Sequence, residues 1–205
     1  MRYKTYIFDF DYTLADATPG IVESINYALN QAGLKSENCD TIKKTVGMTL
    51  KDTLFELTGV SDEYTIERFV AHFKYMADRV MADNTVLLPD TVFVLSDLKQ
   101  NGCNTAIVTS KLHYRIDEVL KKYKITELID FIVGFEDVAE AKPSPEGLLK
   151  AIKFFGGDKR SVLYIGDSLI DANTAAGAEV DFAAVLTGTT AGEDFAELPN
   201  CHATQ

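Results

Sequence analysis

The chain has 205 residues, 46% of them hydrophobic, enough to bury a full core and to carry a small second domain. With 31 acidic against 20 basic side chains the formal charge is −11, which argues against nucleic-acid or anionic-membrane partners, since both need basic surface. Cys39, Cys103 and Cys201 are scattered and odd in number, with no Cys-x-x-Cys pair, so neither a disulfide framework nor a thiolate zinc site is expected, and a reducing, cytoplasmic compartment is.

The start, Met1-Arg2-Tyr3-Lys4, lacks the apolar stretch of a secretion signal, and no window approaches a membrane span. An apolar run then predicts a buried strand over residues 4–10, running into Asp9-Phe10-Asp11. Residues two apart on a strand share a side, so both carboxylates would face one place. Like charges that close repel, and burial worsens the repulsion. A cation that neutralises the pair, or a proton held by one member, relieves it. Both conditions suit phosphoryl transfer through an aspartyl-phosphate, with one Asp attacking and the other handling protons.

From about residue 16 to 84 no strand is legible. Ile21, Ile25, Leu29 and Ala32 recur at helical spacing, as do Ile66, Phe69, Val70, Phe73, Met76, Ala77, Val80 and Met81. Pro19-Gly20 and Pro89-Asp90 flank the stretch, which is far too long for an ordinary crossover. It reads as an inserted helical cap domain over 16–84, with the core made of 1–15 and 85–205.

Beyond it, Val92, Leu95 and Leu98 predict a helix over 91–100, and residues 104–109 a strand ending in Thr109-Ser110-Lys111. A helix over 114–123 and a strand over 131–134 follow, then Ala141-Lys142-Pro143. Ser144 fits an N-cap and Pro145 the first helical position of a helix carrying Leu148, Leu149, Ile152 and Phe155. A strand over 162–166 runs into Gly166-Asp167-Ser168-Leu169-Ile170-Asp171, and 182–186 makes the fifth strand. Alternation of this kind predicts an α/β fold: a Rossmann-like parallel five-stranded sheet with helices on both faces. In such sheets ligands bind beyond the carboxyl ends of the strands. Asp9, Asp11, Thr109, Lys142, Asp167 and Asp171 all fall on that rim, as metal-assisted phosphoryl transfer requires.

Asp-x-Asp-x-Thr, a strand ending in Thr, a Lys-Pro and Gly-Asp-x-x-x-Asp, in that order, resemble the four motifs of the haloacid dehalogenase superfamily. The match spans nearly the whole chain. The helical insertion resembles that superfamily's helical-cap subgroup, and Asp16-Ala17-Thr18-Pro19 with Asp137 to Pro145 is most similar to phosphoglycolate phosphatases and their relatives. The resemblance implies a phosphoric monoester hydrolase using Mg²⁺ on a small phosphorylated metabolite, as a monomer or homodimer. Asp9 is then the nucleophile and Asp11 the acid and base. Asp9, Asp167 and the main-chain carbonyl of Asp11 hold the ion, with Asp171 a ligand or a support behind it. Thr109 and Lys142 hold the phosphoryl oxygens, with Ser110 and Lys111 on the rim. Lys43 and Lys44, before Gly47, resemble the substrate loop of relatives, although a solvated lysine pair at a helix end fits equally. Tyr12 stands where the family usually has Gly, which bears on the turn beside the catalytic acid.

Other outcomes share these motifs. A β-phosphoglucomutase-type mutase returns phosphate to a reoriented sugar, but no histidine lies near Asp16 to Gly20 to support one. Pyrophosphatase activity fits the same core, whereas a true dehalogenase leaves Asp11 without a task. A phosphate sensor without turnover is disfavoured because every catalytic position is filled.

Overall fold

Alternation along Thr5 to Phe8 sets the core. In the computed structural model, which describes residues 2–195 and the backbone of 201–204, Thr5–Phe8 is the first strand, β1. Ile7 packs into one hydrophobic cluster and Phe8 into another, as a strand covered on both faces requires. The chain continues through β2 (Ala15–Asp16), α1 (Thr18–Gln31), α2 (Cys39–Lys43), α3 (Leu50–Thr58), α4 (Glu63–Val80) and β3 (Val86–Leu87). It then alternates through α5 (Thr91–Gln100), β4 (Asn104–Val108), α6 (His113–Tyr123), β5 (Phe131–Val133), α7 (Glu146–Phe154), β6 (Val162–Gly166), α8 (Leu169–Ala178) and β7 (Asp181–Val185), followed by β8 (Cys201–Thr204).

The main sheet has the order β5-β4-β1-β6-β7-β8 and its neighbours pair in parallel. Its first five members are the five strands expected from the sequence, and β8 extends the edge beyond β7. Leu148, Ala151 and Ile152 of α7 and Ala172, Ala175 and Ala178 of α8 cover one face. Leu95 and Leu98 of α5 and Ile116, Val119 and Leu120 of α6 cover the other. From β1 the chain fills β4 and β5 on one side, then crosses to β6 and β7 on the other. Strand order therefore reverses at β1, the place where open α/β sheets leave a crevice. Phe8 is level with Ile107 of β4 and Ile165 of β6, so the three strands end together.

Two sequence expectations are corrected at element ends. The first strand stops at Phe8 rather than residue 10, so Asp9-Phe10-Asp11 lies in the turn beyond it. Helix α7 begins at Glu146 with Pro145 as its N-cap residue, one place later than expected, and the Ser144 hydroxyl accepts the Glu146 N–H at 3.4 Å from just outside the cap position. Proline suits either position, because its missing N–H is an orphan at a helix start in any case.

The chain divides into two compact units, Met1–Asp16 with Leu87–Gln205, and Ala17–Val86. Within the second, Ile21, Ile25, Ala28 and Leu29 of α1 share a core with Phe69 and Ala77 of α4, together with Ile42 and Leu54. Gly20 permits a close approach, since a Cβ there would lie 3.2 Å from the Met81 Cα. Asn38, Thr49 and Asp62 each accept a backbone N–H as N-caps of α2, α3 and α4, and Gly59 ends α3 in the left-handed conformation. No helix among the described residues is long and apolar enough to cross a membrane.

Candidate active site

The central strand delivers Asp9 one residue past its last pairing, with the Asp9 N–H donating to the Ile165 carbonyl at 2.8 Å. Asp9 is buried, and its Oδ1 accepts from Lys142 Nζ at 2.7 Å. The same ammonium donates to Asp171 Oδ1 at 2.7 Å and to the Tyr164 hydroxyl at 3.3 Å. Tyr164, fully buried on β6, lies 2.9 Å from Asp171 Oδ1 and 3.2 Å from the Val108 carbonyl, within donating reach of each. Lys142 thus arrives from the loop before α7 and is fixed by three acceptors. Burial works against its ammonium, but the carboxylates of Asp171 and Asp9 outweigh that and hold its pKa well above the ordinary lysine value.

Asp11 has a lysine of its own. Lys111 Nζ lies 2.9 Å from Asp11 Oδ2, with both side chains largely buried. The repulsion expected between the paired carboxylates is therefore met by two separate lysines, one per Asp. Asp11 Oδ1 and Thr13 Oγ1 are buried and have no hydrogen-bond partner among the described residues. Between them, Tyr12 takes a left-handed backbone with φ +58°, the conformation glycine adopts freely. Its N–H donates to the Ala15 carbonyl at 2.7 Å, and its own carbonyl accepts from the Thr187 hydroxyl. A tyrosine in this conformation carries a backbone cost on the order of 1 kcal/mol.

Asp167 follows β6 directly, and α8 starts just beyond it. Ser168 and Asp171 form a capping box: the Ser168 hydroxyl accepts the Asp171 N–H at 3.2 Å, and Asp171 Oδ2 accepts the Ser168 N–H at 3.3 Å. The Ser168 hydroxyl also donates to Asp171 Oδ2 at 2.5 Å. Both oxygens of Asp171 are thus occupied by protein donors. Asp167 is the opposite case, since among the described residues no donor reaches its carboxylate. Burial first, then the charges of Asp9 and Asp171, push Asp167 up to about 8. Burial likewise pushes Asp9 up to about 7, against the pull of Lys142.

Oxygens of Asp9, Asp167 and Asp171 lie within 4.8 Å of one another. With all four ionised, the carboxylates, counting Asp11, face two ammonium groups and exceed them by two negative charges. An all-oxygen donor set with that deficit fits a hard divalent ion such as Mg²⁺. Two glycines keep the acids in place. A Cβ on Gly188, in the loop after β7, would fall 1.9 Å from Asp167 Oδ2, and one on Gly166 would fall 2.5 Å from the Asp171 Cγ.

Thr109 ends β4 with its hydroxyl accepting the Lys111 N–H at 3.2 Å. Ser110 Oγ is buried without a partner among the described residues. Thr109, Ser110 and Lys142 line one small cavity together with Val133 and Gly134. Lys43 ends α2 and Lys44 follows it, both in the helical unit, and neither makes an ion pair among the described residues. Sequence reasoning missed Tyr164, Thr187 and Gly188, and placed Lys111 on the rim without its partner. Tyr164 reads as a strand-core aromatic, and nothing local marks its hydroxyl as polar anchor.

The haloacid dehalogenase-like hydrolase family model matches residues 6–185. Pyrophosphatase PpaX of Bacillus cereus is 28% identical over 169 residues, covering 82% of this chain and 76% of that protein. Phosphoglycolate phosphatase 1 of Pseudomonas aeruginosa is 27% identical over 201 residues, covering 95% and 73%. A crystal structure from Bacteroides fragilis, assigned to the haloacid dehalogenase-like hydrolases, superposes with a TM-score of 0.94 at 40% identity and covers 98% of this chain and 97% of its own.

Proposed function

Because the chain belongs to the haloacid dehalogenase-like hydrolase family, we propose that it is a Mg²⁺-dependent phosphatase for a small phosphomonoester of the phosphoglycolate kind, acting through an aspartyl-phosphate on Asp9. One observation carries this reading. Asp9 stands at the end of the central strand with Oδ1 tied to Lys142 and Oδ2 without a donor among the described residues. A carboxylate held at one oxygen and open at the other is oriented for attack on phosphorus.

In the first half-reaction an Asp9 oxygen bonds to phosphorus and the bond to the leaving alkoxide breaks, with Asp11 giving that oxygen a proton. In the second, Asp11 as carboxylate takes a proton from the water that attacks the acyl-phosphate, releasing inorganic phosphate and restoring Asp9. Thr109 and Lys142 donate to the non-bridging phosphoryl oxygens, where fixed donors contribute most. Asp171, its oxygens taken by Lys142, Tyr164 and Ser168, keeps Lys142 aimed rather than joining the ligand set. Asp9, Asp167 and the Asp11 carbonyl are the groups that would hold Mg²⁺. When bound, the ion supplies charge that offsets the repulsion between nucleophile and phosphate.

Pyrophosphate hydrolysis is a second reading, favoured by the name of the Bacillus cereus relative and served by the same residues. Phosphate release from a metabolite panel, with Mg²⁺ or with EDTA, tests both. Metal-dependent turnover of 2-phosphoglycolate above that of pyrophosphate supports the first reading, the reverse order supports the second, and no turnover on the panel contradicts both.

A further inference from the structure

Lys111 carries more N–H donors than its one carboxylate partner engages. Its backbone is pinned on both sides, its N–H to the Thr109 hydroxyl at 3.2 Å and its carbonyl to the Phe135 N–H at 3.0 Å. The side chain is 8% exposed, and among the described residues its ammonium has a single carboxylate partner, Asp11 Oδ2 at 2.9 Å. Lys142, at 5% exposure, has three acceptors. A largely buried ammonium with two unused hydrogens is unfavourable unless an acceptor arrives. Asp11 does not offer a second one, since its other oxygen is itself without a partner.

Resting on the phosphatase reading above, we propose that Lys111 binds an anionic group on the leaving portion of the substrate. It thereby selects esters whose alcohol carries a carboxylate or a phosphate over esters of neutral alcohols. The acid that protonates the leaving oxygen must touch that oxygen, and Lys111 touches the acid. The leaving oxygen is therefore within two hydrogen-bond lengths, about 6 Å, of Lys111 Nζ when it meets Oδ2, and within about one carboxylate width more when it meets the open Oδ1. An anionic group two bonds from that oxygen can turn toward the ammonium, which serves it as a compact point charge. The competing account is that Lys111 only neutralises and steadies Asp11. That role would act on every ester alike.

The two accounts separate on a matched pair, 2-phosphoglycolate and 2-hydroxyethyl phosphate, which differ in leaving-group charge and little in size. With the unaltered protein and Mg²⁺, kcat/KM should favour phosphoglycolate. In Lys111→Met that preference should shrink roughly ten- to hundredfold, the worth of one charge-assisted hydrogen bond, mainly through KM for the anionic ester. Lys111→Arg should restore part of it. Equal losses on the two esters, complete loss included, would overturn the proposal while leaving the phosphatase reading standing. If the unaltered protein turns over both esters equally, the proposal also fails. No turnover of any phosphoester by the unaltered protein sinks the phosphatase reading itself, and the role of Lys111 with it.

Discussion

One absent methyl group decides where Asp167 can point. Gly188 brings bare backbone against the carboxylate, and a Cβ there would sit 1.9 Å from Oδ2. Gly188→Ala should therefore turn Asp167 out of the acid cluster, lowering kcat/KM on the order of a hundredfold, the usual cost of an ångström's misplacement. It should also abolish stabilisation by Mg²⁺, read as the loss of the metal-induced Tm increase, while far-UV circular dichroism stays unchanged. A Tm increase equal to that of the unaltered protein would contradict the assignment of Asp167 to the ion. Tyr12 teaches the complementary lesson. A tyrosine takes the left-handed φ that glycine adopts freely, and the Thr187 hydroxyl holds its carbonyl from the loop after β7. Neither Thr187 nor Gly188 carries a local signature, because Thr187 acts on Tyr12 at the far end of the sequence and Gly188 on Asp167, before the preceding helix and strand.

At the level of elements, legibility followed the strength of the periodic signal. Ala106-Ile107-Val108, the run from Val162 to Ile165 and the run from Phe182 to Val185 are continuous and apolar because β4, β6 and β7 are covered on both faces, and such runs are hard to misread. Helices α5, α6 and α4 were legible from Leu95, Ile116 and Phe69 at helical spacing. The short helices α2 and α3 were not, since each buries only one or two side chains and is fixed chiefly by its N-cap. Asp9, Asp11, Thr109, Lys142, Asp167 and Asp171 were found from their places at strand ends, a rule about sheets rather than about any one residue. How they pair was not legible. The strand-alternation argument put Asp9 and Asp11 on one shared problem of repulsion, whereas the turn after Phe8 gives each its own lysine. Asp171 looked equally suited to a metal and to a helix start. The capping box with Ser168 and the bond to Lys142 assign it to both the helix and the lysine.

Across the whole molecule, the site concentrates a charge imbalance that the fold must tolerate before any ligand binds. Asp9 and Asp167 have pKa values raised to about 7 and about 8, so the native state binds protons that the unfolded chain, titrating near 3.8, has already lost. Their contribution is fully present below pH 4 and is lost as pH rises through 7 and 8. Carboxylates with lowered values, such as Glu146 at about 2, act in the opposite sense but only in acid. Between pH 5 and 8.5 the metal-free protein should therefore lose Tm steadily. Mg²⁺ should restore more at pH 8 than at pH 5, because it replaces the missing protons. A metal-free Tm that rises across this range would contradict the assigned burial of the two acids. The covalent step is tested most directly by quenching the working protein in acid, with a ³²P-labelled ester and Mg²⁺, and mapping the label by peptide mass. The account predicts a phosphoryl group on Asp9, labile to hydroxylamine and absent from Asp9→Asn. Label on another residue, or undiminished turnover in Asp9→Asn, would contradict it.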